Sequence, residues 1–536
     1  MVRKHTLALA LLGLASYLSA QELPKIAQQD GRASLFVDGK PYFALGAQVD
    51  NSSGWADRLS AVWPIAERMK LNTLEVPVYW EQMEPRKGTF DFSVVDTILT
   101  QARSHNTRLI LLWFGTWKNG KMHYVPDWVK SDTATYPRMK TRNGASIDVL
   151  SPNEPANLEA DRSAFTALMR HLKQADPQHT VIMMQVENES GSLGTVRDFG
   201  ATAQKQFAEP VPDALIKGLK KQPGTWQQVF GDDADETFAA YYVSSYIGQV
   251  AAAGKHELAL PMYANNWLKS PRAFPIHTIP GDDYPSGGPT INMVPVWKIA
   301  APALDLLAPD IYVPNSENYQ QVMRDFHTST NPLLVPESLG FEPFPGASGY
   351  ARPLFFAIGQ GAIGFGNFGI DRVSLDAPML PETAASIEGF RLIGSFVNQL
   401  AALAFAGKVK TAVEDNGLAQ REIDYDGTRI LISYPPAYDP PPGPVSATSD
   451  TTHLKEGRVL VAQLSDTEYL VAGIDCRVQF LPTVHSTKQM QMLKVEEGRY
   501  DGETWIPTRL WNGDETDYGL NFGGKGSLLH VKIGTF

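Results

Sequence analysis

The strongest constraint on this chain is an alternation. Short apolar runs, each too brief to be a buried helix, are separated by stretches in which apolar residues recur at helical spacing. The runs fall at residues 44–48, 72–80, 108–114, 180–185, 258–263, 305–311, 333–336 and 362–365. Between the first two, Leu59, Val62, Trp63, Ala66 and Met69 line one face of a helix, and further helices are expected over 93–105 and 157–173. The interval 190–254 is too long for a simple loop and should carry insertions, with a helix near 235–252. Ile387, Phe390, Ile393, Phe396, Leu400 and Leu403 predict one last helix over 381–405. Eight strand-then-helix units with apolar strands argue for a closed parallel barrel of the α/β class, a (β/α)8 TIM barrel. It should occupy residues 21–405, with a hairpin at 33–43, turning at Asp38-Gly39, leading into the first strand.

Beyond residue 405 the pattern changes. Short runs at 428–432, 459–462, 468–472 and 528–532, separated by turn residues, predict a C-terminal β-sandwich over 406–536. The stretch 435–444 holds six prolines, and because strands flank it on both sides it is expected to be a loop inside that sandwich. At the other end, Arg3, Lys4 and His5 precede an apolar run and the small pair Ser19-Ala20, the form of a signal peptide over 1–20. That predicts export to the periplasm or the exterior, with no membrane contact after processing. Cys476 is the single cysteine, so an intramolecular disulfide and a cysteine-based metal cage are excluded. The formal charge of −11 disfavours nucleic acid, since a phosphate backbone demands a basic surface.

In a parallel barrel the chemistry gathers where the strands end at their C-terminal side. Two apolar runs end there in an acid. Met183-Met184-Gln185-Val186-Glu187-Asn188-Glu189 brings Glu189 to the end of the fourth strand, and Leu333-Leu334-Val335-Pro336-Glu337 brings Glu337 to the end of the seventh. Two carboxyls facing one crevice suit glycoside hydrolysis, in which one attacks the anomeric carbon while the other protonates the leaving oxygen. Spacing alone does not say which is which. Glu187, two residues before Glu189 and expected on the same side of the strand, reads as a buried polar partner for a neighbouring strand. Gln48, Asp50 and Asn51 after the first strand, Asn265-Asn266 after the fifth and Asn367 after the eighth suit either sugar hydroxyls or a turn. Glu75, Glu81 and His123 are weaker candidates for sugar contact. Trp80, Trp113, Trp117 and Trp267 can serve as stacking platforms or as packing. No His-x-x-x-His pair and no glycine-rich phosphate loop is present, so neither a catalytic metal nor a nucleotide cofactor is expected.

The Gln185-Val186-Glu187-Asn188-Glu189 stretch resembles the acid/base motif of glycoside hydrolase family 35, the β-galactosidases. Glu84-Pro85-Arg86-Lys87-Gly88-Thr89-Phe90-Asp91-Phe92 resembles both that family and the related family 42. The resemblance runs from about Leu35 to Asp371 and implies a (β/α)8 retaining hydrolase. It implies Glu189 as acid/base, Glu337 as nucleophile, Asn188 as a donor to the sugar 2-hydroxyl, and Tyr312 as a tyrosine holding the nucleophile. Ser190 stands where an aromatic often follows Asn-Glu, which leaves the sugar open. The expectation is therefore an exported, retaining exo-β-galactosidase acting on oligosaccharides or plant cell-wall side chains. A related glycosidase for another sugar and a catalytically silent carbohydrate-binding barrel are the alternatives, and the oligomeric state is not predicted.

Overall fold

The computed structural model describes residues 22–269, 277–339, 350–376, 378–415, 418–434, 456–483 and 487–536. The expected signal at 1–20 and the proline-rich loop at 435–444 lie outside the described residues. Eight parallel strands form the central sheet: β1 (Ala44–Gln48), β2 (Thr73–Tyr79), β3 (Arg108–Lys118), β4 (Val181–Asn188), β5 (Met262–Asn266), β6 (Leu306–Pro309), β7 (Leu334–Val335) and β8 (Gly364–Phe368). They pair in the order β6-β5-β4-β3-β2-β1-β8-β7. The ends of that order meet through one parallel bridge, Ile311 with Ser338, in which Ile311 N donates to Glu337 O at 2.9 Å. The barrel thus closes beside one of the two expected acids.

β2 and β4 are buried along their whole length, as strands must be when side chains fill the barrel on one face and helices cover the other. Glu75 on β2 points inward, and the glycines opposite make room for it: a Cβ on Gly366 would lie 2.4 Å from Glu75 Oε1. The long interval after β4 carries three short helices before the helix Ala234–Glu257, as its length demanded. Three expectations shift. β5 begins at Met262 rather than 258, because Leu260 N bonds back to Leu258 O in a turn, so Asn265 and Asn266 sit on the strand and not after it. β8 likewise runs on to Phe368 and includes Asn367. The single helix expected over 381–405 is two, Pro381–Gly394 and Val397–Phe405, because the first ends at Ser395-Phe396, whose amides bond back to Leu392 and Ile393.

The C-terminal strands form two antiparallel sheets, one of six strands and one of four, facing each other across Ile430, Ile432, Val459, Val461, Val471, Val478, Leu529 and Val531. The alternate residues Leu460, Ala462, Leu470, Ala472 and Leu528 of the six-stranded sheet pack into the same core as the barrel helices. Along Arg458–Gln463 and Glu468–Ile474 both faces of that sheet are covered, which explains why these strands read as continuous apolar runs. Among the described residues no helix is long and apolar enough to cross a membrane.

Candidate active site

A cavity of about 560 Å³ opens at the C-terminal ends of the strands, and Glu189, Glu337, Asp310, Lys118, Tyr312 and Trp267 are among its walls. Glu189 reaches it by an unusual backbone. Glu187 and Glu189 have φ of 65° and 46°, left-handed values that cost a residue with a Cβ and that collect at functional sites. Two bonds hold the turn: Glu189 N donates to Asn265 Oδ1 at 3.0 Å, and Gly120 N to Glu189 O at 3.0 Å. The same turn breaks the alternation that would have put both glutamates on one side. Glu187 Oε2 instead accepts from Trp117 N on β3 at 2.7 Å and sits against Asp161, so it is the buried partner of a neighbouring strand but not a side-mate of Glu189.

Glu337 is surrounded by donors. Gln48 Nε2 donates to Oε1 at 2.9 Å, Asn188 Nδ2 to the same oxygen at 3.4 Å, and the Tyr312 hydroxyl to Oε2 at 3.0 Å. Asn188 is itself oriented by Lys118 Nζ, which donates to its Oδ1 at 2.7 Å. One carboxylate oxygen each from Glu189, Asp310 and Glu337 lies within 4.8 Å of the others. Three oxygens so close form a set able to face a cation, although both oxygens of Glu337 already take protein donors. Burial raises the Glu189 pKa to about 7, the Glu337 charge adds to the rise, and the Lys118 ammonium opposes it. Asp310 is pushed well above the usual carboxylate range, first by burial and then by the charges of Glu337 and Glu189. The cluster therefore sets two acids biased toward their neutral forms beside a Glu337 side chain held by three donors.

Of the residues anticipated around the sugar, the structure brings Asn51, Trp267 and Tyr312 to the cavity wall and keeps Gln48 and Asn188 in contact with Glu337. Asn265 stands one step behind, linking Glu189 N to Asp310, to which its Nδ2 donates at 2.8 Å. Asp50 is not part of the cavity: Arg372 Nε donates to its Oδ1 and Oδ2 at 3.0 and 2.9 Å, fastening the loop after β1 to the one after β8. Trp80 is a core residue, fully buried, with its indole N–H given to Glu84 Oε2 at 2.8 Å. Trp113 and Trp117 are also buried packing, against Phe165 and Tyr246, so among the four tryptophans only Trp267 faces the cavity, its ring stacked on His277. Asn266, Asn367, Glu81 and His123 do not line it, and Glu75 lies inside the barrel, accepting from Tyr263.

Two residues escaped the sequence reading. Asp310 lies one residue past β6, at a strand end where a polar residue deserves notice. Lys118 was hidden because β3 runs four residues beyond the apolar stretch that predicted it, with an irregular register between Trp113 and Lys118.

Residues 55–232 match the glycosyl hydrolase 42 family model, described as β-galactosidase, and residues 387–523 match a domain of unknown function, DUF5597. A β-galactosidase of Xanthomonas manihotis is 32% identical over 199 residues, which are 35% of this chain and 30% of that protein. The chain thus spans under a third of the curated relative it matches. Among solved structures, β-galactosidases from Bacillus circulans sp. alkalophilus and from Rahnella sp. R3 align over 67% and 68% of this chain and 57% of each of theirs, at 14% and 17% identity and a TM-score of 0.47 for both. Similarity that slight carries no weight here, and the barrel rests on its own strand order. The matching stretch 55–232 is β-galactosidase-like and contains Asn188 and Glu189.

Proposed function

We propose that this protein is a glycoside hydrolase, a retaining exo-β-galactosidase that removes terminal β-D-galactosyl residues from oligosaccharides or plant cell-wall side chains by double displacement. The observation that carries the reading is the pair Glu189 and Glu337, with oxygens within 4.8 Å of one another and unlike surroundings. A retaining pair stands about 5 to 5.5 Å apart, whereas an inverting pair needs about 6.5 to 9.5 Å to admit a water. In the first step Glu337 attacks the anomeric carbon while Glu189, protonated up to about pH 7, gives its proton to the departing oxygen. Glycosylation removes the Glu337 charge, the Glu189 pKa falls, and Glu189 as carboxylate takes a proton from the incoming water. Tyr312, Gln48 and Asn188 hold Glu337 for in-line attack.

A cavity of about 560 Å³ suits a few sugar units, in keeping with action at a chain end. The β-galactosidase descriptions of the matching family model and of the Xanthomonas relative favour galactose. The chain shares features with families 35 and 42, and we place it with that wider group. We also read it as exported, on the composition of residues 1–20.

A panel of nitrophenyl glycosides tests the assignment. Turnover of the β-galactoside alone supports it; turnover of another β-glycoside keeps the mechanism and changes the sugar; binding without turnover makes the barrel a lectin-like one. Glu337→Gln should abolish turnover. Glu189→Ala should spare the first step for good leaving groups and be rescued by azide. Losses below about a hundredfold in both variants would remove the two acids from their roles.

A further inference from the structure

The proposed reaction uses two carboxyls, but a third is buried with them. Asp310 is 3% exposed and follows β6 directly. Its Oδ2 accepts from Asn265 Nδ2 at 2.8 Å, whereas its Oδ1 is buried and meets no donor among the described residues. The titratable groups facing it are Glu189 from the end of β4, Glu337 from the end of β7, Lys118 from the end of β3, Tyr263 on β5 and Tyr312 from its own segment. Lys118 is the single cation in that set. Were all three acids ionised, one ammonium would face three carboxylates in a closed space, and Asp310 Oδ1 would be a bare anionic oxygen aimed at other anions.

We propose that Asp310 is a neutral positioning acid, whose Oδ1 keeps a proton throughout the catalytic cycle and donates it as a hydrogen bond to the Glu189 carboxyl. This rests on the glycosidase reading above and deepens it. The bare Oδ1 then becomes a donor, while Asn265 holds Oδ2 as acceptor, fixing which oxygen carries the proton. The direction of the shifts agrees: the contact between the two acids raises Asp310 and lowers Glu189, as expected when Asp310 is the donor.

The proton accounting closes without further reagents. In glycosylation the Glu189 proton goes to the glycosidic oxygen, the Glu337 oxygen forms its bond to the anomeric carbon, and the bond to the leaving oxygen breaks. Glu189 is then an anion, and the bond from Asp310 becomes charge-assisted and stronger. In deglycosylation water loses one proton to Glu189 as its oxygen bonds the anomeric carbon and Glu337 is released. Asp310 ends each turn with the proton it began with and exchanges none with sugar or water.

Asp310→Asn keeps a donor toward Glu189 and an acceptor for Asn265 but cannot ionise; Asp310→Ala removes both. With phenyl β-galactoside, whose poor leaving group needs the Glu189 proton, Asp310→Asn should lose far less activity than Asp310→Ala and keep the position of the alkaline limb. Asp310→Ala should lose about tenfold to a hundredfold in kcat, the worth of one hydrogen bond to a charged group. An alkaline limb that moves down by about one unit or more in Asp310→Asn would show that a negative charge had been removed, and would overturn the proposal. Independently of turnover, the infrared difference between wild type and Asp310→Asn at neutral pH should show the loss of one protonated-carboxyl carbonyl band. Its absence would also overturn the proposal. If wild type hydrolyses no aryl glycoside but the band is lost, the glycosidase reading fails while the neutral Asp310 stands.

Discussion

Gln48, at the end of β1, donates its amide to Glu337, at the end of β7, at 2.9 Å. β8 lies between those strands in the sheet, so the bond crosses the barrel mouth instead of following the pairing order. It fixes the carboxylate expected to attack the sugar, and Gln48 is wholly buried, so water cannot take its place. Gln48→Leu should lose about 1.5 to 3 kcal/mol of transition-state stabilisation, the worth of a hydrogen bond to a charged group, or about tenfold to a hundredfold in kcat. KM should change much less. Steady-state kinetics on an active β-glycoside decide it, and a loss confined to KM would make Gln48 a binding residue.

The raised pKa of Glu189 has a cost in stability with a definite sign. Unfolded, the carboxyl titrates near its ordinary value of about 4.3, while folded it does so at about 7. Between those values the folded protein holds more protons than the unfolded one, so stability falls as pH rises through that window and levels off above it. Glu189→Gln removes the titration. It should be more stable than wild type at pH 8 by about 1 to 3 kcal/mol, with the gain shrinking toward pH 4. Chemical denaturation at the two pH values measures this, and parallel curves would mean that Glu189 is not held in its neutral form.

Much of this arrangement was readable before folding. Glu189 and Glu337 stood out because each closes an apolar run, Gln48 followed from its place after the first strand, and Asn188 and Tyr312 came from the resemblance to the glycosidase families. What stayed hidden had physical causes. The φ of Glu189 and Glu187 is left-handed, which no pattern of apolar and polar residues announces, so the expected alternation failed there. Trp80 and Asp50 looked like mouth residues by position, but one turned into the core toward Glu84 and the other outward to Arg372, choices made by partners distant in the chain. Lys118 required knowing that β3 continues through an irregular stretch.

Glu75 inside the barrel depends on two glycines that differ in tolerance. A Cβ on Gly366 would meet Glu75 Oε1 at 2.4 Å and Pro336 O at 2.9 Å, and the second of these is backbone that cannot swing aside. On Gly46 the nearest atom would be Glu75 Oε1 at 3.4 Å, an ordinary contact. Gly366→Ala should therefore destabilise by about 1 to 3 kcal/mol, as overpacking does, and displace Pro336, which precedes Glu337. Gly46→Ala should have a much smaller effect. Thermal unfolding of the two variants side by side tests the comparison, and equal losses would show that chain stiffness, not the clash, sets the cost.

Lys118 does two jobs that one substitution separates. Its ammonium donates to Asn188 Oδ1 at 2.7 Å, and its charge opposes the upward shift of Glu189. Lys118→Met keeps an unbranched apolar side chain but removes both, along with the ammonium over the Phe114 ring. Asn188 then loses the partner that aims its amide at Glu337, and kcat/KM should fall. At the same time the Glu189 carboxyl, freed from the nearby cation, holds its proton to higher pH, so the alkaline limb of kcat/KM should move upward from about 7. Lys118→Arg, which retains the charge, should leave the limb in place even where its bulk lowers the rate. A limb that stays fixed in Lys118→Met would mean that the ammonium acts on Asn188 alone and has no electrostatic hold on the acid.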